Sequence, residues 1–387
     1  MLKTLDVLSY IGGLSEESVE FVNWPIYYNE DKYHQSICKV VDYLSRFKEV
    51  VGVYQIGGVN DPGISDIDLI VVFDNDVNSF NHSYRVVFEK KDSYLFMHGI
   101  YGMARYVFEM KDLLIPIYDS NILLGENILV EESLIGEEKK ALANIYALEY
   151  LMINLFNLAA QFFLRRLKVR NLLCSLKGLA YDFNILSEGN YNKEQKAFYD
   201  RLSSLRKSWW SREIDLRSEF YALCKEGMEL SLKTLCEFSI STGGERLSEK
   251  APPYIHVGAN GYLTPRSYKD IFISSIEFRR TNAINLMDKL LSLNSQRILR
   301  NQLIDAKTAF YAIFLKVPFS LFSIFDGQAN GFYKTVLEKR RALLEKYSEF
   351  MKGINPEYSI YDIFRWYNSK NVKWNIIRSL NKYIFIN

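Results

Sequence analysis

Cysteine is scarce in this 387-residue chain: Cys38, Cys174, Cys224 and Cys236 stand far apart, with no CxxC pair among them. That excludes a disulfide framework and a zinc ribbon, and it fits reduced core cysteines in a cytoplasmic protein. Histidine is as sparse, at four, and no HExxH occurs. Neither GxxxxGK[ST] nor GxGxxG is present, which removes the P-loop and the dinucleotide-binding fingerprint. Charge of one sign is lacking too: 48 Lys and Arg face 46 Asp and Glu, for a net +2. Bulk electrostatics therefore supplies no pull toward nucleic acid, and a nucleic-acid acceptor is disfavoured. The first twenty residues are too acidic, with too short an apolar run, for a signal peptide. A membrane span is suggested only by residues 144–164. There Glu149, Asn154, Asn157 and Gln161 recur at helical spacing as a polar stripe, so a buried helix is expected. There is no internal repeat and no low-complexity tract.

What the chain does have is apolar residues, at 48% enough for a sizeable core, and one stretch that stands apart: Val51 to Phe73, VGVYQIGGVNDPGISDIDLIVVF. Val51 to Ile56 reads as a buried strand ending in the Gly57-Gly58 turn, and Ile67 to Phe73 as a second strand rich in branched residues. Asp66 and Asp68 lie two apart, so they share a face. Adjacent carboxylates repel unless a cation stands between them, and such oxygen ligands suit Mg²⁺ together with substrate phosphates. Glycine lets the backbone approach a ligand closely and offers N–H groups to a phosphate.

The run Ile56-Gly57-Gly58, a spacer, then Asp66-Ile67-Asp68-Leu69 resembles the signature of the nucleotidyltransferase superfamily that includes DNA polymerase beta. Pro62 to Leu69, PGISDIDL, is similar to bacterial and archaeal members. The chain departs from the pattern in having Gly58 where many members have Ser, and in a short spacer. The resemblance covers about the first third of the chain and implies the reaction. A nucleoside monophosphate would pass from an NTP, expected to be ATP, to an acceptor hydroxyl, with pyrophosphate leaving. In that reading Asp66 and Asp68 hold one or two Mg²⁺ or Mn²⁺ ions, Gly57 and Gly58 cradle phosphates, and Ser65 hydrogen-bonds nearby. The family's third acid is not where it is looked for. The strand expected at Tyr94 to His98 has no Asp or Glu, so His98 is placed nearest that position, as an ion neighbour or a base for the acceptor. Glu109, between Phe108 and Met110, is the competing ligand; Asp119 follows as another acid.

The rest of the chain supports an α/β N-terminal domain, a small mixed sheet with flanking helices over residues 1–135, followed by an all-helical region over 136–387. A helix is expected over Asp31 to Lys48, and another from an Asp74-Asn75-Asp76 cap to about Lys90. The run Arg165 to Arg170 with Lys177 reads as a helix end; Arg166 and Lys177 are candidates to clamp a triphosphate. Lys207, Trp209, Trp210 and Arg212 form a candidate surface patch. Residues 254–263 spell a hairpin with an Asn260-Gly261 turn. Phe310 to Phe325 reads as core, and Pro356 to Asn387 carries Trp366 and Trp374 among many basic residues. The favoured acceptor is a small molecule or sugar. The alternatives are a cyclic-oligonucleotide synthase of bacterial defence type and a catalytically degenerate nucleotide-binding regulatory protein.

Overall fold

The computed structural model describes residues 11–89, 92–115, 119–163, 165–211, 215–241, 255–256, 262–263 and 332–358. In chain order the main elements are β1 (Glu20–Val22), α1 (Glu30–Leu44), β2 (Val50–Ile56), β3 (Asp68–Phe73), β4 (Ile100–Ala104), α2 (Arg105–Glu109) and β5 (Ser120–Gly125). Then come α3 (Gly136–Phe163), β6 (Arg166–Lys168), α4 (Val169–Leu186), α5 (Lys193–Lys207), α6 (Leu216–Ser241), β7 (Ile255–His256), β8 (Tyr262–Leu263) and α7 (Phe332–Met351). They form two compact units. One takes residues 26–135 and the segment from 338; the other takes residues up to 25 and 136–337. Neither unit is contiguous in sequence. The first 25 residues group with the helical unit because β1 pairs in parallel with β6.

The sheet unit is built on a four-stranded mixed sheet, order β4-β3-β2-β5. β3 is central and its residues Leu69 to Phe73 are fully buried, which explains an apolar run without alternation. It runs antiparallel to β2 and parallel to β4. α1 starts where Asn29 accepts a hydrogen bond from the Lys32 N–H, with Glu30 and Asp31 in its first turn. Its buried residues Tyr33, Ser36, Ile37, Val40 and Leu44 recur at three- and four-residue spacing. Two expectations need correction. No helix follows Asp76; among the described residues there is only a 3-10 turn at Tyr84–Val87. The stretch Tyr94 to His98 is not a strand either. A 3-10 turn at Asp92–Tyr94 leads through a loop to β4, which begins at Ile100. Gly99 adopts φ +80° just ahead of that strand, so extended pairing cannot reach back through it.

The C-terminal segment completes this unit. Phe80 exchanges backbone hydrogen bonds with Gly353 and Asn355, at 2.9 and 2.7 Å. Tyr358 lies over Gly102 and packs edge-on against Phe73 and Tyr84. Gly353 has no substitute, since a Cβ there would stand 2.0 Å from the Asn78 carbonyl oxygen.

The helical unit packs α3 to α6 around a core that includes Leu151, Leu155, Phe162, Leu172, Leu176, Phe183, Phe198 and Phe220. α5 opens with a reciprocal capping box between Asn192 and Gln195. The basic run does not simply end a helix: Arg166–Lys168 is the short strand β6. The hairpin at 254–263 is present as the antiparallel pair β7–β8, although its Asn260-Gly261 turn lies outside the described residues. So do Phe310 to Phe325, Arg212, Trp366 and Trp374.

Inside this unit Asp182 on α4 is buried, and its Oδ2 has no hydrogen-bond partner. Burial pushes its carboxyl well above the ordinary range, and the Asn154 side chain only partly opposes that. A raised folded value means that its contribution is favourable at low pH and lost as pH climbs through that value. Asp182→Asn is therefore expected to raise stability by about 1–2 kcal/mol at pH 8 and by little at pH 4. Urea denaturation at the two pH values checks the difference; an equal effect at both would contradict it.

Candidate active site

The strand register brings the motif residues to one end of the sheet. Ile56 pairs with Asp68, so the chain leaves β2 into Gly57-Gly58 where it enters β3. Leu69 pairs with Ile100 in the parallel direction, so His98 arrives at that same end. Ile56 also pairs with Ser120, which brings Asp119 there. Asp66 precedes β3 rather than lying in it. The two-residue alternation still holds: Ile67 and Leu69 are fully buried, while Asp66 and Asp68 are on the part-exposed side.

Asp66 Oδ2 and Asp68 Oδ1 are sealed from solvent and accept no hydrogen bond. His98 Nε2 stands 3.5 Å from Asp66 Oδ2, longer than a good hydrogen bond. Burial first, and then the charge of Asp66, push the Asp68 carboxyl well above its ordinary value. Native proteins rarely leave buried carboxylate oxygens unpartnered, and this pair fits a divalent cation by ligand type. Among the described residues no group of three or more His, Cys, Asp or Glu could hold a metal ion. At this end of the sheet the described residues offer two aspartates, with His98 beside one of them.

The remaining candidates differ in their surroundings. Gly57 adopts φ +60°, which reserves the position for glycine, but its N–H donates to the Asp119 carbonyl at 3.1 Å and is not free for a phosphate. Gly58 is exposed, and a Cβ there would meet only Asn60 Oδ1, at 3.9 Å. Gly57→Ala is accordingly expected to cost about 1–2 kcal/mol of stability, with Gly58→Ala near neutral for folding. Thermal melts of the two variants check this, and equal losses would contradict it. Ser65 is buried, and its hydroxyl accepts from the Asp61 N–H at 3.2 Å, shaping the loop. Glu109 ends α2, beyond the C-terminal end of β4, whereas the aspartates sit at the N-terminal end of β3. Because β3 and β4 are parallel, these are opposite ends of the sheet. Glu109 pairs with Arg105 at 3.6 Å, and the structure does not bring it to the aspartates. In the helical unit Arg166 pairs with Glu20 at 3.1 Å, and Lys177 lies over the Tyr181 ring.

Sequence reading missed the side chains that hold the motif in place. Tyr33 on α1 is buried, donates to the Ser65 carbonyl at 2.7 Å and accepts from the Gly63 N–H at 2.8 Å. Tyr94 donates to the Gly63 carbonyl at 2.6 Å. The available signal was Tyr33 itself, four residues before Ile37 on the apolar face of α1.

No protein-family model, curated protein or solved structure matches the chain.

Proposed function

We propose that the chain is a metal-dependent nucleotidyltransferase that moves a nucleoside monophosphate from an NTP, with ATP the first candidate, to a hydroxyl on a small molecule or sugar. The observation that carries this reading is the pair of buried, unpartnered oxygens, Asp66 Oδ2 and Asp68 Oδ1, beside the Gly57-Gly58 turn. Phosphoryl transfer asks little covalent chemistry of the protein and much positioning and charge neutralisation. Asp66 and Asp68 would hold one or two Mg²⁺ or Mn²⁺. Bound there, a divalent ion supplies charge neutralisation for the triphosphate and acidifies the acceptor hydroxyl. Gly58, bare on its outer side, would let the triphosphate approach the backbone. Asp68 must be deprotonated to ligate, so its raised proton affinity would make cation binding weaken as pH falls. In this reading His98, whose Nε2 stands 3.5 Å from Asp66 Oδ2, would accept the proton of the acceptor hydroxyl.

We assign acceptor binding to the region from residue 136 onward, whose described elements are helices apart from β6 and the β7–β8 pair. No helix among the described residues is long and apolar enough to cross a membrane. A second reading, nucleotide binding without turnover, is favoured by the Gly57 N–H being committed to Asp119 and by the absence, among the described residues, of a third carboxylate grouped with the pair. Incubation with each labelled NTP and Mg²⁺ or Mn²⁺, followed by mass spectrometry, separates them. Pyrophosphate with a nucleotidylated or cyclic product supports transfer. Intact nucleotide recovered with every NTP, with and without added sugar and other hydroxyl acceptors, would leave the binding reading.

A further inference from the structure

Asp66 is not held by the sheet. It lies outside β3, two residues before the first ladder residue, and its carboxylate is repelled by that of Asp68. An unanchored loop would relax by turning Asp66 out to solvent. The loop before it closes on itself through the Asp61 carbonyl, which accepts from Ile64 and Ser65 N–H at 3.0 and 2.8 Å. Those bonds shape the loop without fixing it to the sheet. Fixing comes from two tyrosine hydroxyls on other elements. Tyr33 of α1 bridges Gly63 N–H and Ser65 C=O, while Tyr94 grips the Gly63 carbonyl and accepts from the Ile26 N–H at 2.8 Å. Just beyond Asp66, the Ile67 N–H donates to Leu95 C=O at 2.7 Å.

The segments that carry the two tyrosines are tied together by an ion pair. Asp92, in the turn that carries Tyr94, is fully buried and bonded to Lys32, the neighbour of Tyr33, at 2.6 Å. Resting on the nucleotidyltransferase reading, we infer that Tyr33 and Tyr94 are positioning residues: their hydroxyls clasp the Asp61–Ser65 loop and hold Asp66 beside Asp68 before any cation arrives. A loop that only had to turn between two strands would not need three backbone groups held by tyrosine hydroxyls. The clasp sets the ligand geometry in advance, as preorganised sites require.

The test is a Mn²⁺ titration of the full-length protein, with free Mn²⁺ read by electron paramagnetic resonance. Tyr33→Phe and Tyr94→Phe keep the rings and remove only the hydroxyls. Each is expected to weaken Mn²⁺ binding about tenfold, the loss typical of groups that orient metal ligands. Tyr54→Phe is the control. Its buried ring carries a hydroxyl that accepts from the Ile128 N–H at 2.9 Å, holding a loop that follows the far end of β5. It should lose comparable stability and keep wild-type affinity. Amide exchange gives a second readout: Gly63 and Ile67 should exchange faster in the clasp variants, with β3 amides unchanged. Wild-type Mn²⁺ affinity in both clasp variants would overturn the clasp and leave the aspartate site standing. Equal weakening in Tyr54→Phe would overturn it as a general stability effect. A wild-type protein that binds Mn²⁺ no better than Asp66→Asn would overturn the cation reading and the clasp together.

Discussion

Asp66→Asn and Asp68→Asn are each expected to lower nucleotide transfer by about a thousandfold or more, with the fold retained. Asparagine keeps the shape of the side chain and loses the anionic oxygens, so a metal ligand disappears with little packing change. The two oxygens at stake are buried and accept no hydrogen bond, so the fold does not depend on them. Asp68→Asn should in fact melt higher than wild type above neutral pH. Its carboxyl is raised by burial and by Asp66, so its ionisation is a cost that grows as pH climbs from the ordinary 3.8. Pyrophosphate release and melting temperature, measured on the same preparations, check both halves. Turnover within a few-fold of wild type in both variants would move the site elsewhere.

Asp92→Ala should have the largest effect on stability, a loss of about 3 kcal/mol. The Asp92 side chain is fully buried and takes Lys32 at 2.6 Å, Lys39 at 3.2 Å and the Glu89 N–H at 3.1 Å. The low end of the usual range applies because Lys39 keeps contact with water. Burial alone would raise the Asp92 carboxyl, but the bonds from Lys32, the Glu89 N–H and Lys39 outweigh it and hold the group below 3.8. A lowered folded value means that the stabilisation is present above the ordinary carboxylate range and is lost as pH falls through that lowered value. The variant's deficit should therefore be full at pH 7 and shrink below about pH 4. Urea titrations across that range check it; a deficit independent of pH would mean that packing, not charge, was removed.

The parts of the fold written in local pattern were legible. Gly57-Gly58 and Asp66-Ile67-Asp68 announce a turn and a strand entry, and the register brings them to one end of the sheet as those residues suggest. The Asn260-Gly261 signal marks where β7 and β8 pair. What was not legible is long-range. Tyr94 to His98 reads as a strand, yet Asp92 anchors the preceding turn to α1 and Gly99 breaks the extended run, so the strand starts at Ile100. The expected helix after Asp76 yields to a chain that instead pairs, at Phe80, with residues 353–355. No window of sequence joins positions that far apart. Glu109 looked attractive for its apolar neighbours, and only the parallel direction of β4 shows that it lies at the wrong end. In the site itself the carboxylates were readable from their spacing. The tyrosine bonds to the Gly63 and Ser65 backbone were not, because Tyr33 on an apolar helix face looks like core until its hydroxyl is seen.

The most direct measurement is a calorimetric titration of the protein with a non-hydrolysable ATP analogue, with and without Mg²⁺, for wild type and for the Asp66→Asn, Asp68→Asn double variant. The account expects saturable one-site binding for wild type with Mg²⁺, and none for the double variant or for wild type in EDTA. Equal binding by the double variant, or binding indifferent to Mg²⁺, would contradict it.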